Sequence, residues 1–181
     1  MPRDTLAVLG GTFDRLHRGH EALLETAFAL GRSVAIGVTT DAFLAAHPKP
    51  HADRLQPYRT RRAAVARWVA RHHPDRPVRI VPLADRFGGS LAPEVGVLVV
   101  SVETASGGRA VNRERALRGL RPVRLATVPL VLADDLRPVS SRRIRAGTVD
   151  RAGRRRTPLP VVVSVPDAAS RRWVVRAVRR A

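Results

Sequence analysis

Apolar residues in this chain fall into short continuous runs, separated by stretches in which they recur every three or four positions. The first run, Leu6 to Leu9 (LAVL), reads as a buried strand that ends in the glycine pair Gly10-Gly11. Leu23, Leu24, Ala27, Phe28 and Leu30 then share one helical face, and Gly31 stops that helix. Ser33 to Thr39 (SVAIGVT) reads as a second strand, followed by a loop rich in His and Pro from Leu44 to Gln56. Pro57 opens a helix to about His72 that buries Val65, Trp68 and Val69. Val78 to Pro82 gives a third strand. Gly96 to Ser101 (GVLVVS) gives a fourth, continuous and rich in valine as in a strand covered on both faces. A short helix after Gly108, a fifth strand from Val123 to Leu132 broken at Pro129, and a short helix from Ser140 to Ala146 closed by Gly147 complete the pattern.

Strands alternating with helices predict an α/β fold, a doubly wound parallel five-stranded sheet of Rossmann-like type. Ligands of such sheets bind beyond the carboxyl ends of the strands, so residues just after strands are the candidates for chemistry. The 181 residues suit one ordinary domain, taken as 1–153. Residues 154–181 form a basic extension. Within the tail, Arg151 to Arg156 (RAGRRR) reads as a turn-like linker, Val161 to Val165 as a strand, and the end as a basic helix that docks through Trp173, Val174 and Val178.

Composition adjusts this picture in three ways. Aromatic residues are only 4% of the chain, so the core must be aliphatic. There is no cysteine, which excludes disulfides and thiolate metal sites. No run approaches the roughly 18 apolar residues of a membrane span, and the first apolar run is too short for a signal peptide, so a cytoplasmic location is expected. The formal charge of +18 invites nucleic acid as a partner. However, Lys49 is the single lysine among 33 basic residues, a bias that points to coding preference. Nor are exposed aromatics interleaved with the arginines, as stacking on bases would require.

The densest chemistry lies in GGTFDRLHRGH, residues 10 to 20. Gly10 and Gly11 let backbone approach a ligand closely, through dihedrals that other residues resist. Thr12 offers a hydroxyl and an N–H to a phosphate, and Phe13 follows it. His17 and His20 flank Gly19 at the start of the next helix, where free N–H groups and the helix dipole favour anions. Two imidazoles there can donate to a phosphate whose charge grows during reaction. The His pair could equally be half of a metal site, but His47, His51, His72 and His73 are scattered and supply no obvious third ligand. A second segment, ADDLRPVSSRRIRAG, residues 133 to 147, sets Ser140 and Ser141 at a helix start with Arg143 one turn on, which suits either a simple cap or phosphate binding.

The two segments together resemble the T/H-x-G-H and I-S-S-x-x-I signatures of the nucleotidyltransferase superfamily, with Val139 where Ile is usual. The resemblance implies transfer of a nucleotidyl group with loss of pyrophosphate. Gly10, Gly11, Thr12, Phe13, His17, His20, Ser140, Ser141 and Arg143 would bind ATP, and His20 would stabilise the transition state. The middle of the chain narrows the match. VVSVET, residues 99 to 104, carries Ser101, Glu103 and Thr104; Asn112 and Arg115 follow on one helical face; and Lys49 sits after the second strand. These resemble the archaeal and eukaryotic phosphopantetheine adenylyltransferases over about residues 5 to 153. That family implies ATP and 4′-phosphopantetheine as substrates, the latter bound by Thr12, Lys49, Ser101, Glu103, Thr104, Asn112 and Arg115. Thr12, Lys49 and His20 would serve catalysis. Mg²⁺ would be held through ATP phosphates and water, with no protein metal site. The competing expectations are another acceptor, such as nicotinamide mononucleotide, and an RNA-binding module on the same fold.

Overall fold

The computed structural model describes residues 5–47 and 52–156. Side chains of β1 (Leu6–Gly11) alternate between two apolar layers, and this alternation sets the architecture. Four further strands join it: β2 (Ser33–Thr39), β3 (Val78–Leu83), β4 (Val95–Ser101) and β5 (Arg124–Val128). All pairings are parallel and the order is β3-β2-β1-β4-β5. The strand order therefore reverses between β1 and β4, which places a switch point at the carboxyl ends of those two strands. On one face Ala7, Leu9, Ile36, Val97 and Val99 pack against Leu24 and Phe28 of α1 (Arg18–Leu30) and Val65 and Trp68 of α3 (Tyr58–His72). On the other face Val8, Leu98 and Val100 meet Val111 of α4 (Ala105–Leu117) and Phe87 beside a 3₁₀ turn, Gly88–Leu91.

The expected doubly wound sheet is present, and β2 keeps its expected bounds. Four local readings are corrected. Leu44 is helical, not loop: it belongs to α2 (Asp41–Ala46), which Thr40 starts by accepting a hydrogen bond from the Phe43 N–H at 3.1 Å. The helix expected after Gly108 begins before it, because a reciprocal box between Ser101 and Thr104 launches the chain into α4. Gly108 fits inside that helix because Leu125 and Val100 press on it, at 3.2 and 3.4 Å from where a Cβ would stand. The fifth strand stops at Val128, before Pro129 withdraws an N–H. Leu132 then bridges antiparallel to Pro138.

The last correction concerns the basic linker. Residues 151–156 turn back into the domain: Val149 bridges Arg155, the Asp134 N–H donates to the Gly153 carbonyl, and the Arg156 N–H donates to Thr148. Gly153 has φ +86°, and a Cβ there would lie 2.9 Å from Val139, so the turn needs glycine twice over. This folds a small third core of Ala133, Val139, Val149 and Ile144 around α5 (Ser141–Arg145). The expected strand 161–165 and the docking helix carrying Trp173, Val174 and Val178 lie outside the described residues. No helix among the described residues is long and apolar enough to cross a membrane.

Asn112 and Arg115 hold α4 to the amino edge of the sheet. Asn112 donates to the Val123 carbonyl at 3.0 Å and accepts from the Val123 N–H at 2.8 Å, just before β5. Arg115 is buried and donates to the carbonyls of Ser90, Ala92 and Arg121 at 2.7, 2.9 and 2.7 Å. Replacing it with methionine leaves three carbonyls without that donor, at about 1–3 kcal/mol each. Arg115→Met should therefore lower unfolding free energy by at least about 3 kcal/mol in a urea titration.

Candidate active site

Beyond the carboxyl end of β1 the chain makes a tight turn that no glycine relieves. Phe13 and Arg15 both adopt left-handed backbone, with φ of 52° and 48°. Such conformations are costly for residues with a Cβ and persist only where surroundings enforce them. Here the enforcement is visible. Asp14, fully buried between them, accepts from the Gln56 N–H at 3.0 Å and from Arg145 Nη1 at 2.6 Å. The Arg15 N–H donates to Gln56 Oε1 at 2.7 Å. Arg61, also fully buried, donates to the carbonyls of Thr12 and Thr39 at 2.9 and 2.8 Å, tying the ends of β1 and β2 together. The same guanidinium pairs with Asp41 at 2.7 Å. Burial raises the Asp41 carboxyl, but bonds from the Tyr58 N–H and Arg61 outweigh this and hold it below the usual carboxylate range.

The glycine pair serves this turn by its size. Neither Gly10 nor Gly11 has positive φ, contrary to the expected conformational need; both lie within β1. A Cβ on Gly10 would approach Leu83 to 3.0 Å, and one on Gly11 would approach the Phe13 ring to 3.2 Å. Phe13 itself faces the core, with its ring centroid 5.2 Å from that of His20.

His17 caps α1. Its Nδ1 accepts the Gly19 N–H at 3.2 Å, which assigns the ring proton to Nε2. Nε2 lies 3.3 Å from Ser141 Oγ, and that hydroxyl donates to the Asp14 carbonyl at 2.8 Å. Burial pushes the His17 pKa down to about 4, against an opposing pull from Asp14, so the ring is neutral at physiological pH. His20 stacks on it with 3.8 Å between centroids. Ser140 caps α5 by accepting the Arg143 N–H at 3.4 Å. The two segments, 124 residues apart between His17 and Ser141, thus meet in direct hydrogen-bond contact, with two helix starts side by side.

Other expected site residues are distributed differently. The Arg143 guanidinium pairs with Asp135 at 2.5 Å and donates to the Arg137 and Pro138 carbonyls, so it braces the preceding turn. Arg145, two residues on, reaches Asp14 instead. Ser101 and Thr104 bond each other at the start of α4, and Glu103 between them is exposed. Ser101 and Thr104 also line an apolar cavity of about 180 Å³ with Gly10, Leu83, Phe87, Val100 and Val111. Asn112 and Arg115 are held at the opposite edge of the sheet and do not join this group. Lys49 and His51 lie outside the described residues. Sequence reasoning missed Asp14, Gln56, Arg61 and Arg145. Asp14 stood inside the motif and could have been found; the two arginines were lost in a chain full of arginine.

A nucleotidyltransferase is the class of protein that a switch-point site with two adjoining phosphate-suited loops defines. The cytidylyltransferase-like family model matches residues 8–147. Phosphopantetheine adenylyltransferase of Methanopyrus kandleri is 44% identical over 144 residues, covering 79% of this chain and 89% of that protein. The bifunctional phosphopantetheine adenylyltransferase/NTP phosphatase of Thermoplasma acidophilum is 38% identical over 97% of this chain, which spans 52% of that protein. Among solved structures, a protein of unknown function from Archaeoglobus fulgidus superposes with a TM-score of 0.61 at 34% identity, covering 68% of this chain and 89% of that one. The chain belongs to the cytidylyltransferase-like family and, within it, to the group of phosphopantetheine adenylyltransferases.

The neutral His17 makes stability depend on pH. Its folded pKa lies near 4 and its unfolded value near 6.5, so between these the unfolded chain binds the extra proton. Stability therefore falls as pH drops from about 6.5 to 4, with a contribution from His17 on the order of 3 kcal/mol. Urea midpoints of the wild type should show this slope. His17→Asn, which keeps a capping oxygen, should flatten it.

Proposed function

We propose that this chain transfers the adenylyl group of ATP to 4′-phosphopantetheine, forming dephospho-coenzyme A and pyrophosphate. The observation that carries the reading is the contact of His17 and Ser141, which sets the starts of α1 and α5 together beside the end of β1. N–H groups at helix starts and the His20 ring suit a triphosphate. An oxygen of the 4′-phosphate attacks the α-phosphorus of ATP in line. The new P–O bond forms as the bond from the α-phosphorus to the bridging oxygen breaks, and pyrophosphate leaves with that oxygen. No covalent enzyme intermediate is needed, so alignment and charge stabilisation make up the catalysis.

We assign Thr12, His17, His20, Ser140 and Ser141 to ATP, with His20 donating to the phosphate oxygens as charge develops. Lys49 is assigned to the acceptor phosphate. The apolar cavity against Leu83, Phe87 and Val111 suits the pantetheine arm, with Ser101 and Thr104 as its polar lining. Asn112, Arg115 and the Arg143 guanidinium are left out of the proposed site because their bonds hold backbone elsewhere. Both Asp14 oxygens are engaged by Gln56 and Arg145, so this buried carboxylate is no ready ligand for Mg²⁺. We assign that ion to the triphosphate and water, where its chemistry is to neutralise phosphate charge. The reading implies a cytoplasmic enzyme.

Purified protein with ATP should release pyrophosphate on addition of 4′-phosphopantetheine. Release with nicotinamide mononucleotide alone would overturn the acceptor. Salt-sensitive RNA binding with no release from either would favour the binding-module reading. His20→Ala should lower kcat by about 100-fold while changing ATP affinity less than about threefold, as loss of a transition-state contact requires. Equal losses in both would remove His20 from that role.

A further inference from the structure

The turn 12–17 and the start of α5 are joined by more than the His17–Ser141 contact. Asp14 and Arg145 form a buried ion pair, 2.6 Å apart, with side chains 0% and 3% exposed. Asp14 belongs to the strained turn and Arg145 to α5, so the pair spans the two segments. Its second carboxylate oxygen is held by the Gln56 N–H, while Gln56 Oε1 takes the Arg15 N–H. Arg54 donates to the Arg145 carbonyl at 3.2 Å. Burying two charges this way is costly, and an apolar pair of similar volume often stabilises a fold as well or better. Stability alone therefore does not account for the arrangement. What an apolar pair cannot reproduce is direction: a carboxylate held by two donors fixes the turn and the helix start in one relative position.

We infer that Asp14 and Arg145, with Gln56 as their brace, are positioning residues that set the spacing between the two phosphate-suited segments. This rests on the adenylyltransferase reading. None of the three needs to touch substrate. Phe13 and Arg15 adopt left-handed backbone on either side of Asp14, so losing the clamp lets that turn relax. Relaxation displaces Thr12 on one side and His17 on the other, and with His17 the hydroxyl of Ser141.

A neutralised pair tests this by separating stability from function. Asp14→Asn and Arg145→Met, made singly, should each lower the thermal midpoint and lower kcat/KM for ATP at least tenfold. Combined, they remove both charges, so the midpoint should return to within a few degrees of wild type. Activity should not return: kcat/KM for ATP should stay at least tenfold down, mostly through KM. A double variant regaining both stability and activity to within threefold would overturn the inference. Should the double variant not fold, Gln56 decides. Gln56→Ala keeps the backbone N–H on Asp14 but removes the acceptor of the Arg15 N–H, so it should lower kcat/KM for ATP about fivefold, and Gln56→Glu, which keeps the acceptor, should restore it; wild-type kinetics in Gln56→Ala would overturn the bracing role. Each protein is also titrated with ATP alone, followed by its thermal midpoint. If wild-type protein binds ATP but transfers nothing to 4′-phosphopantetheine, the acceptor reading fails, while weaker ATP binding in the double or Gln56→Ala variant still supports the clamp and unchanged binding still overturns it.

Discussion

The carboxylate of Asp14 is the point on which the site turns. It lies where the chain leaves the central strand, between two residues in left-handed backbone, and both of its oxygens are bound inside the protein. A turn of that shape would cost free energy in isolation. It persists because Gln56 and Arg61, from just before and within the start of α3, and Arg145, from α5, reach it from two distant parts of the chain. The helix that begins at Arg18 and the cap supplied by His17 inherit their position from this turn. The architecture of the sheet decides where the turn stands; Asp14 decides what it looks like.

Arginine performs work in this fold that other residue types do in most. With few aromatics and one lysine, the chain closes several of its joints with buried or half-buried guanidinium groups. Arg61 joins the ends of β1 and β2, Arg115 joins α4 to the segments before β4 and β5, and Arg76 closes on the carbonyls of Phe28, Gly31 and Arg32 where α1 gives way to β2. A planar fork with five donors can satisfy several carbonyls at once, which an ammonium on a flexible stem does less well. Part of the +18 charge is thus structural, placed where carbonyl groups would otherwise lack donors.

Much of the sheet could be read from the chain because buried parallel strands write themselves as continuous aliphatic runs. Ser33–Thr39 is such a run, and so is Val95–Ser101. The starts of helices were harder. Thr40 begins α2, and Ser101 begins the 3₁₀ turn Val102–Thr104 that leads into α4, through hydroxyl caps, a signal present in the sequence but outweighed by the His and Pro that follow one and the glycines that follow the other. At the site, the residues of the two motifs were legible, and the structure brings His17 and Ser141 together. The direction of long side chains was not. Arg143 and Arg145 stand two apart on one short helix and reach Asp135 and Asp14, on different sides of it. Nor could spacing alone tell whether Asn112 and Arg115 face the carboxyl or the amino edge of the sheet. A helix running back along a strand carries its later residues toward the strand's beginning, and these two lie late in α4.

The small core around α5 has a dynamic consequence. Ala133, Val139, Val149 and Ile144 form a cluster separate from the two layers that flank the sheet. Four modest aliphatic side chains and two isolated bridges give it far less cohesion than the sheet possesses. Once the Asp14–Arg145 pair parts, the lobe carrying Ser140 and Ser141 is therefore a separate unit of opening: it can loosen while the strands stay paired. Its amide hydrogens are expected to exchange faster than those of β1 and β4. A site with one wall on each is half rigid and half compliant, which leaves a large leaving group a way out that does not require the fold to come apart.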